Sequence, residues 1–188
     1  MQPTHQLDPS AGAPRAELVR AAFRELHGAR LHGFALLLTL GDRARAARLA
    51  ADALHAAEAD LGSHRHPERA AAWLRARVLR SAGRDAGRRA PAERRGVLGE
   101  LGVDDTAMAG LTALGVRARG ALIAASIERL DPLDVAAIVG REGARLEALL
   151  RKARARYLEG AATAPADPSP APGPIAQRLH ATAAWALP

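Results

Sequence analysis

Arginine is the residue type with the most chemistry to offer in this sequence. Eight arginines fall between Arg75 and Arg95, where only Asp85 and Glu93 oppose them, and of the chain's 27 basic residues all but Lys152 are arginine. A guanidinium forks onto a phosphate or carboxylate, so a run this dense on one helix suits a polyanion. An Ala/Arg/Gly/Pro-rich composition scatters arginines everywhere, so their placement says more than their number. Val103 to Gly160 carries nine basic and eight acidic residues, which concentrates the positive field of a chain with formal net charge +7 in its first half.

Histidine offers the next chemistry. His64 and His66 are the tightest pair among seven, in Gly62-Ser63-His64-Arg65-His66-Pro67. With Arg65 between them and no cysteine in the chain, a closed zinc site would need carboxylates from elsewhere. They read instead as solvated loop residues. There is no glycine-rich phosphate loop, no Gly-x-Ser-x-Gly elbow and no acid pair isolated in an apolar setting, so nucleophilic and general acid/base chemistry have no candidate. The expectation is a binding protein, not an enzyme, with no metal and no cofactor.

These residues must be positioned by helices. Aromatics make up only 3% of the 188 residues while the hydrophobic share is 48%, dominated by Ala and Leu, which supplies helices well and strands poorly. An all-α fold is predicted, with thin cores that rely on Leu, Val, Phe23 and Trp73. Trp73, beside Leu74 and Val78, is expected in the core. No apolar run approaches the roughly 18 to 20 residues that span a bilayer, and Met1 to Pro14 lacks the pattern of a signal peptide, so no membrane partner and a cytoplasmic location are expected.

Along the chain, residues 1–14 read as a disordered leader. A first helix from Arg15 places Leu18, Ala22, Phe23 and Leu26 on a buried face and runs to a break at Gly41. Asp42 is placed to cap a second helix with an apolar stripe of Ala46, Leu49, Ala50, Ala53, Leu54 and Ala57. After a loop at Gly62 to Pro67, a third helix spans Glu68 to about Arg89. Residues 15–89 thus form one helical unit, and 90–106, with Pro, Gly and acids, a linker. In 107–160 short helical patterns lead to Asp131, Pro132 and Asp134, an N-cap, first-turn proline and first-turn acid ahead of a helix ending at Gly140. A last helix, Gly143 to Leu158, follows a short glycine-containing turn, the helix-turn-helix pattern. Residues 161–188 are an Ala/Pro-rich tail, expected to fray, with a short amphipathic helix at Ile175 to Leu187 as the alternative.

Two stretches resemble a known family. Gly41-Asp42-Arg43-Ala44-Arg45-Ala46-Ala47-Arg48-Leu49, and Pro67 followed by Trp73-Leu74 with Asp85 and Arg88-Arg89, are similar to region 2 of bacterial RNA polymerase sigma factors of the extracytoplasmic-function type. Leu114 to Leu158, with Asp134-Val135-Ala136, Gly140 and Leu150-Arg151-Lys152-Ala153-Arg154, is similar to region 4, the helix-turn-helix that reads the upstream promoter element. Together they cover about three quarters of the chain in the family's order.

The resemblance implies two small helical modules joined by a linker, and a factor for DNA-templated transcription initiation that binds core RNA polymerase and promoter DNA, with an anti-sigma factor as a further partner. It assigns DNA contacts to Arg75, Arg80, Arg84, Arg88 and Arg89 of the third helix and to Arg145, Arg151, Lys152 and Arg156 of the last, and polymerase contacts to Asp42, Leu49, Asp52 and Leu54. Contact positions depart from the family most. Ala47 and Arg48 replace two acids, Ala51-Asp52 a glutamine-glutamate pair, and Arg80 an asparagine. Gly115 replaces a proline, Ala144-Arg145-Leu146 a glycine-threonine-valine, and Glu147-Ala148-Leu149 a lysine, serine, arginine series. A sigma-like interaction module that regulates transcription without reading a promoter is the alternative.

Overall fold

The computed structural model describes residues 12–59, 62, 66–83, 93–164 and 173–184, and every regular element among them is helical. Helix α1 is Gly12–Leu38, α2 Arg43–Glu58 and α3 Pro67–Gly83; α4 is Glu93–Gly99, α5 Asp105–Thr112 and α6 Val116–Leu122, which runs on into a π-helical turn at Ile123–Ile127. Helices α7 (Pro132–Val139), α8 (Gly143–Ala161) and α9 (Pro174–Ala184) complete the order.

Local chemistry sets the boundaries. At the end of α1, Gly41 N–H donates to the Leu36 carbonyl and Leu40 N–H to that of Leu37, with Leu40 itself left-handed at φ 56°. This is a Schellman close in which a leucine takes the position glycine usually fills. Asp42 then caps α2, its carboxylate accepting from Arg45 N–H at 3.0 Å. Asp131 caps α7 in the same way through Leu133 N–H, with Pro132 in the first turn.

Helix α2 returns antiparallel along α1: Leu54 reaches the Gly28 position, and Arg24 pairs with Glu58 at the far end. Its stripe of Ala46, Leu49, Ala50, Ala53 and Ala57 is buried as the spacing predicts, while Leu54 is only half-buried. The predicted buried face at the start of α1 is not found. Leu18 is 71% and Leu26 59% exposed, Ala22 is exposed and Phe23 half-buried. For Leu18 and Ala22 the reason is length: at about 1.5 Å per residue, α1 (Gly12–Leu38) spans roughly 40 Å and α2 (Arg43–Glu58) only about 24 Å. Helix α2 ends level with Arg24 and so stops short of Leu18 and Ala22, whereas Leu26, between Arg24 and Gly28, lies alongside α2 and stays exposed because it faces away from it.

One continuous core runs through both halves, with Phe34, Leu38, Leu74 and Val78 joined to Leu111, Leu122, Ile123, Val135 and Tyr157. Within 90–106, α4 contributes the fully buried Leu98, and Asp104 caps α5 through Ala107 N–H. Helices α5 and α8 cross so closely that a Cβ at Gly110 would lie 2.5 Å from the Tyr157 ring, and one at Gly160 2.5 Å from the Ala113 methyl. Only glycine permits that approach.

Two arginines bridge the halves. Arg119, on α6 and 7% exposed, donates to the carbonyls of Leu38, Leu111 and Leu114. These lie at or just beyond the ends of α1 and α5, where the helix dipole is negative. Burial, then nearby Arg45, pulls its pKa down to about 10, which leaves it charged at neutral pH. Arg75 on α3 forms a two-point ion pair with Glu128.

The tail does not simply fray. Helix α9 buries Ala176 and Leu179 completely, Ala176 N–H donates to the Gly102 carbonyl, and His180 lies 3.3 Å from the Tyr157 hydroxyl. Burying a leucine contributes roughly 1.5 to 3 kcal/mol, a gain a free tail would lack. Among the described residues no helix is long and apolar enough to cross a membrane.

Candidate nucleic-acid interface

Helices α7 and α8 are joined by a short turn. Gly140 takes the left-handed conformation at φ 64° and donates its N–H to the Ala136 carbonyl, so α7 stops there. Arg141 and Glu142 complete the turn, and α8 begins at Gly143. The apolar residues Val135, Ala136, Ile138 and Val139 are buried, and α7 packs against α3 and α6.

Helix α8 divides as its periodicity requires. Leu146, Ala153 and Tyr157 are buried, Leu149 and Leu150 half-buried. Burial, and then Asp104, pushes the Tyr157 phenol well above its ordinary range, so it remains a neutral core group. Arg145, Lys152 and Arg156 are exposed, and at roughly 100° per residue they share one narrow arc. Arg151 is exposed on another side of the helix, and Glu147 is exposed as well. All four expected basic contacts of α8 therefore face outward. Arg154, half-buried, has its Nε without a hydrogen-bond partner among the described residues.

Helix α3 treats its arginines differently. Arg75 is 4% exposed, paired with Glu128, bonded to the Ala71 carbonyl and set 5.9 Å over the Phe34 ring. It is committed internally and leaves the candidate interface. Arg80 is exposed and, with Arg117 of α6, flanks a groove of about 690 Å³ that also involves Leu79, Val116 and Ile138. Arg77 lies 5.6 Å over the ring of half-buried Trp73, and Arg69 is exposed one turn before it. Residues 69, 73, 77 and 80 thus fall on one side of α3. Arg84, Arg88 and Arg89 lie outside the described residues, as does His64; His66 is exposed.

The expected polymerase contacts separate into two kinds. Asp42 serves as the α2 cap, and Leu49, 7% exposed, packs in the core. Asp52 is exposed and Leu54 half-buried, and Ala47 and Arg48 are exposed beside them. Among the described residues no group of three or more His, Cys, Asp or Glu side chains is placed to hold a metal ion.

Sequence reasoning missed the Arg75 partner, the role of Arg119 and the π-helical turn. The apolar run Ala121 to Ile127 signals burial but not the wider turn. No protein-family model matches this chain, and no curated protein or solved structure matches it either.

Proposed function

We propose that this protein is a sigma-like transcription initiation factor that binds DNA through α8 and core RNA polymerase through the exposed side of α2, and that it performs no chemistry itself in the cytoplasm. The observation that carries this reading is the ridge of Arg145, Lys152 and Arg156, exposed on α8, the second of two helices joined by a short turn. A helix so placed enters a major groove, and its cations supply the phosphate term that dominates affinity. Arg69, Trp73, Arg77 and Arg80 on α3 add a basic face with one aromatic, suited to an unpaired strand.

A second reading keeps the fold and drops promoter recognition: an interaction protein that binds the polymerase or a regulator. It is favoured by Glu147, exposed on α8, and by Ala47 and Arg48, exposed where the resembled family has acids. Run-off transcription with core polymerase on a genomic fragment library, with and without this chain, separates the two. Chain-dependent transcripts from defined start sites support the first reading; polymerase binding without new transcripts supports the second.

A further inference from the structure

A second cavity, of about 430 Å³, opens between α1, the π-helical turn and α9, and no residue of α8 lines it. Phe34, Leu37, Ile123, Ile127, Leu130 and Ile175 make its walls apolar. Arg75 and Glu128 border it but neutralise each other. Arg30 and Arg178 also line it; both are exposed, Arg178 makes only a long 3.5 Å bond to the Ile127 carbonyl, and among the described residues neither has a carboxylate partner. Clefts of roughly 300 to 1,000 Å³ hold small ligands. An apolar interior with uncompensated cations is complementary to an amphiphile whose head is negative.

Two features at this cavity are costly in backbone terms. Gly33 lines it in the middle of α1, and a Cβ there would meet nothing within 4 Å. Glycine is the poorest helix former after proline, so an interior glycine that no close approach requires leaves space unfilled at a stability cost. The wall at Ile123–Ile127 is π-helical, a rare conformation concentrated at functional sites. That turn also buries the Ser126 hydroxyl, 3% exposed, with no hydrogen-bond partner among the described residues.

We propose that this cleft binds an anionic amphiphile, a carboxylate or phosphate monoester on an apolar body, with the body against the half-buried Ile127, Leu130 and Ile175 and the head held by Arg30 and Arg178. Ile175 and Arg178 belong to α9, so the ligand joins the C-terminal helix to α1 and tightens its docking. The site is independent of the DNA reading.

The test is calorimetric titration of the full chain with decanoate, decyl phosphate, 1-decanol and decyltrimethylammonium, below their micellar concentrations. One equivalent of decanoate or decyl phosphate should bind, the tighter of the two identifying the head group, and amide exchange in α9 should slow. Gly33→Leu, which puts a good helix former into open space, should keep the fold and abolish binding. Arg30→Glu with Arg178→Glu, both exposed, should weaken binding about tenfold or more even if Gly33→Leu does not fold. Failure of both anions to bind, equal binding of the alcohol or the cation, or full affinity in a folded Gly33→Leu protein overturns the proposal.

Discussion

Arg75 and Glu128 meet in a two-point ion pair, Nε to Oε2 and Nη2 to Oε1 both at 2.6 Å, that ties α3 to the end of the π-helical turn. The side chains are 5% and 15% exposed, so the attraction is little screened, and either partner left alone would be a buried charge. Glu128→Ala should therefore lower the unfolding free energy by about 3 to 5 kcal/mol, whereas Arg75→Met with Glu128→Leu should stay within about 1 kcal/mol of the parent. Urea denaturation of the three proteins measures both. A single variant as stable as the parent would mean the pair is wet.

The α5–α8 crossing gives a steric test. A Cβ at Gly110 would sit 2.5 Å from the Tyr157 ring and 2.9 Å from its carbonyl oxygen, and the backbone atom cannot swing away. Gly110→Ala should cost about 1 to 3 kcal/mol as the helices are forced apart. Gly33→Ala, in open space, should instead gain about 0.5 to 1 kcal/mol. Thermal unfolding of the two proteins should move in opposite directions.

His27 makes stability depend on pH. Burial, then Arg75 and Arg30, hold its pKa below the ordinary 6.5. The unfolded chain therefore takes up this proton first as pH falls. The contribution of neutral His27 is complete above 6.5 and is lost as pH drops through the folded pKa. The unfolding free energy should fall below that pH with a slope of up to about 1.4 kcal/mol per unit. His27→Gln should flatten the curve, and an identical profile in the two proteins would contradict it.

The caps and stripes were legible because they are local. Asp42, Asp131, Pro132 and Gly140 act within four residues of themselves, and the buried faces of α2 and α8 follow from period alone. What period cannot say is whether a face meets a partner. Leu18 and Leu26 have the spacing of a buried stripe, yet α2 stops short of Leu18, and Leu26 stays exposed although it lies alongside α2. Charge has the same limit. Arg75 and Arg80 look alike in sequence, yet Arg75 is held inside by Glu128, fifty-three residues further on, by the Ala71 carbonyl and by the Phe34 ring, while Arg80 stays exposed. The docking of helix α9 is likewise not local, since it rests on Tyr157 and Gly102.

On α2, Ala47 and Arg48 are exposed beside Asp52, so their replacement leaves the core untouched. Ala47→Glu with Arg48→Asp restores the acids of the resembled family and should tighten binding to core polymerase, with unfolding free energy changed by less than about 0.5 kcal/mol. Titration against labelled polymerase reads the affinity. Equal or weaker binding by a stable variant would place the contact elsewhere.

The ridge of α8 gives the most direct test of DNA contact. Arg145, Lys152 and Arg156 are exposed in one arc, and each phosphate they neutralise adds about −0.9 to the log-log salt slope on duplex DNA. Replacing all three by alanine should therefore make the slope shallower by about 2 to 3 and weaken binding to every sequence alike. Glu147 and Leu149 act on discrimination instead. Glu147 is exposed, and Leu149 is half-buried at the edge of the apolar stripe, beside the arc of the three cations. A negative charge near phosphate and an apolar group near a base edge each forgo a contact worth about 1 to 3 kcal/mol. The unmodified protein should then show salt-dependent affinity with little preference among sequences, and Glu147→Lys with Leu149→Arg should bind tighter. Selection from a random duplex pool, sequenced before and after, measures the preference. Enrichment of a defined motif by the unmodified protein would show that α8 reads bases despite Glu147 and Leu149.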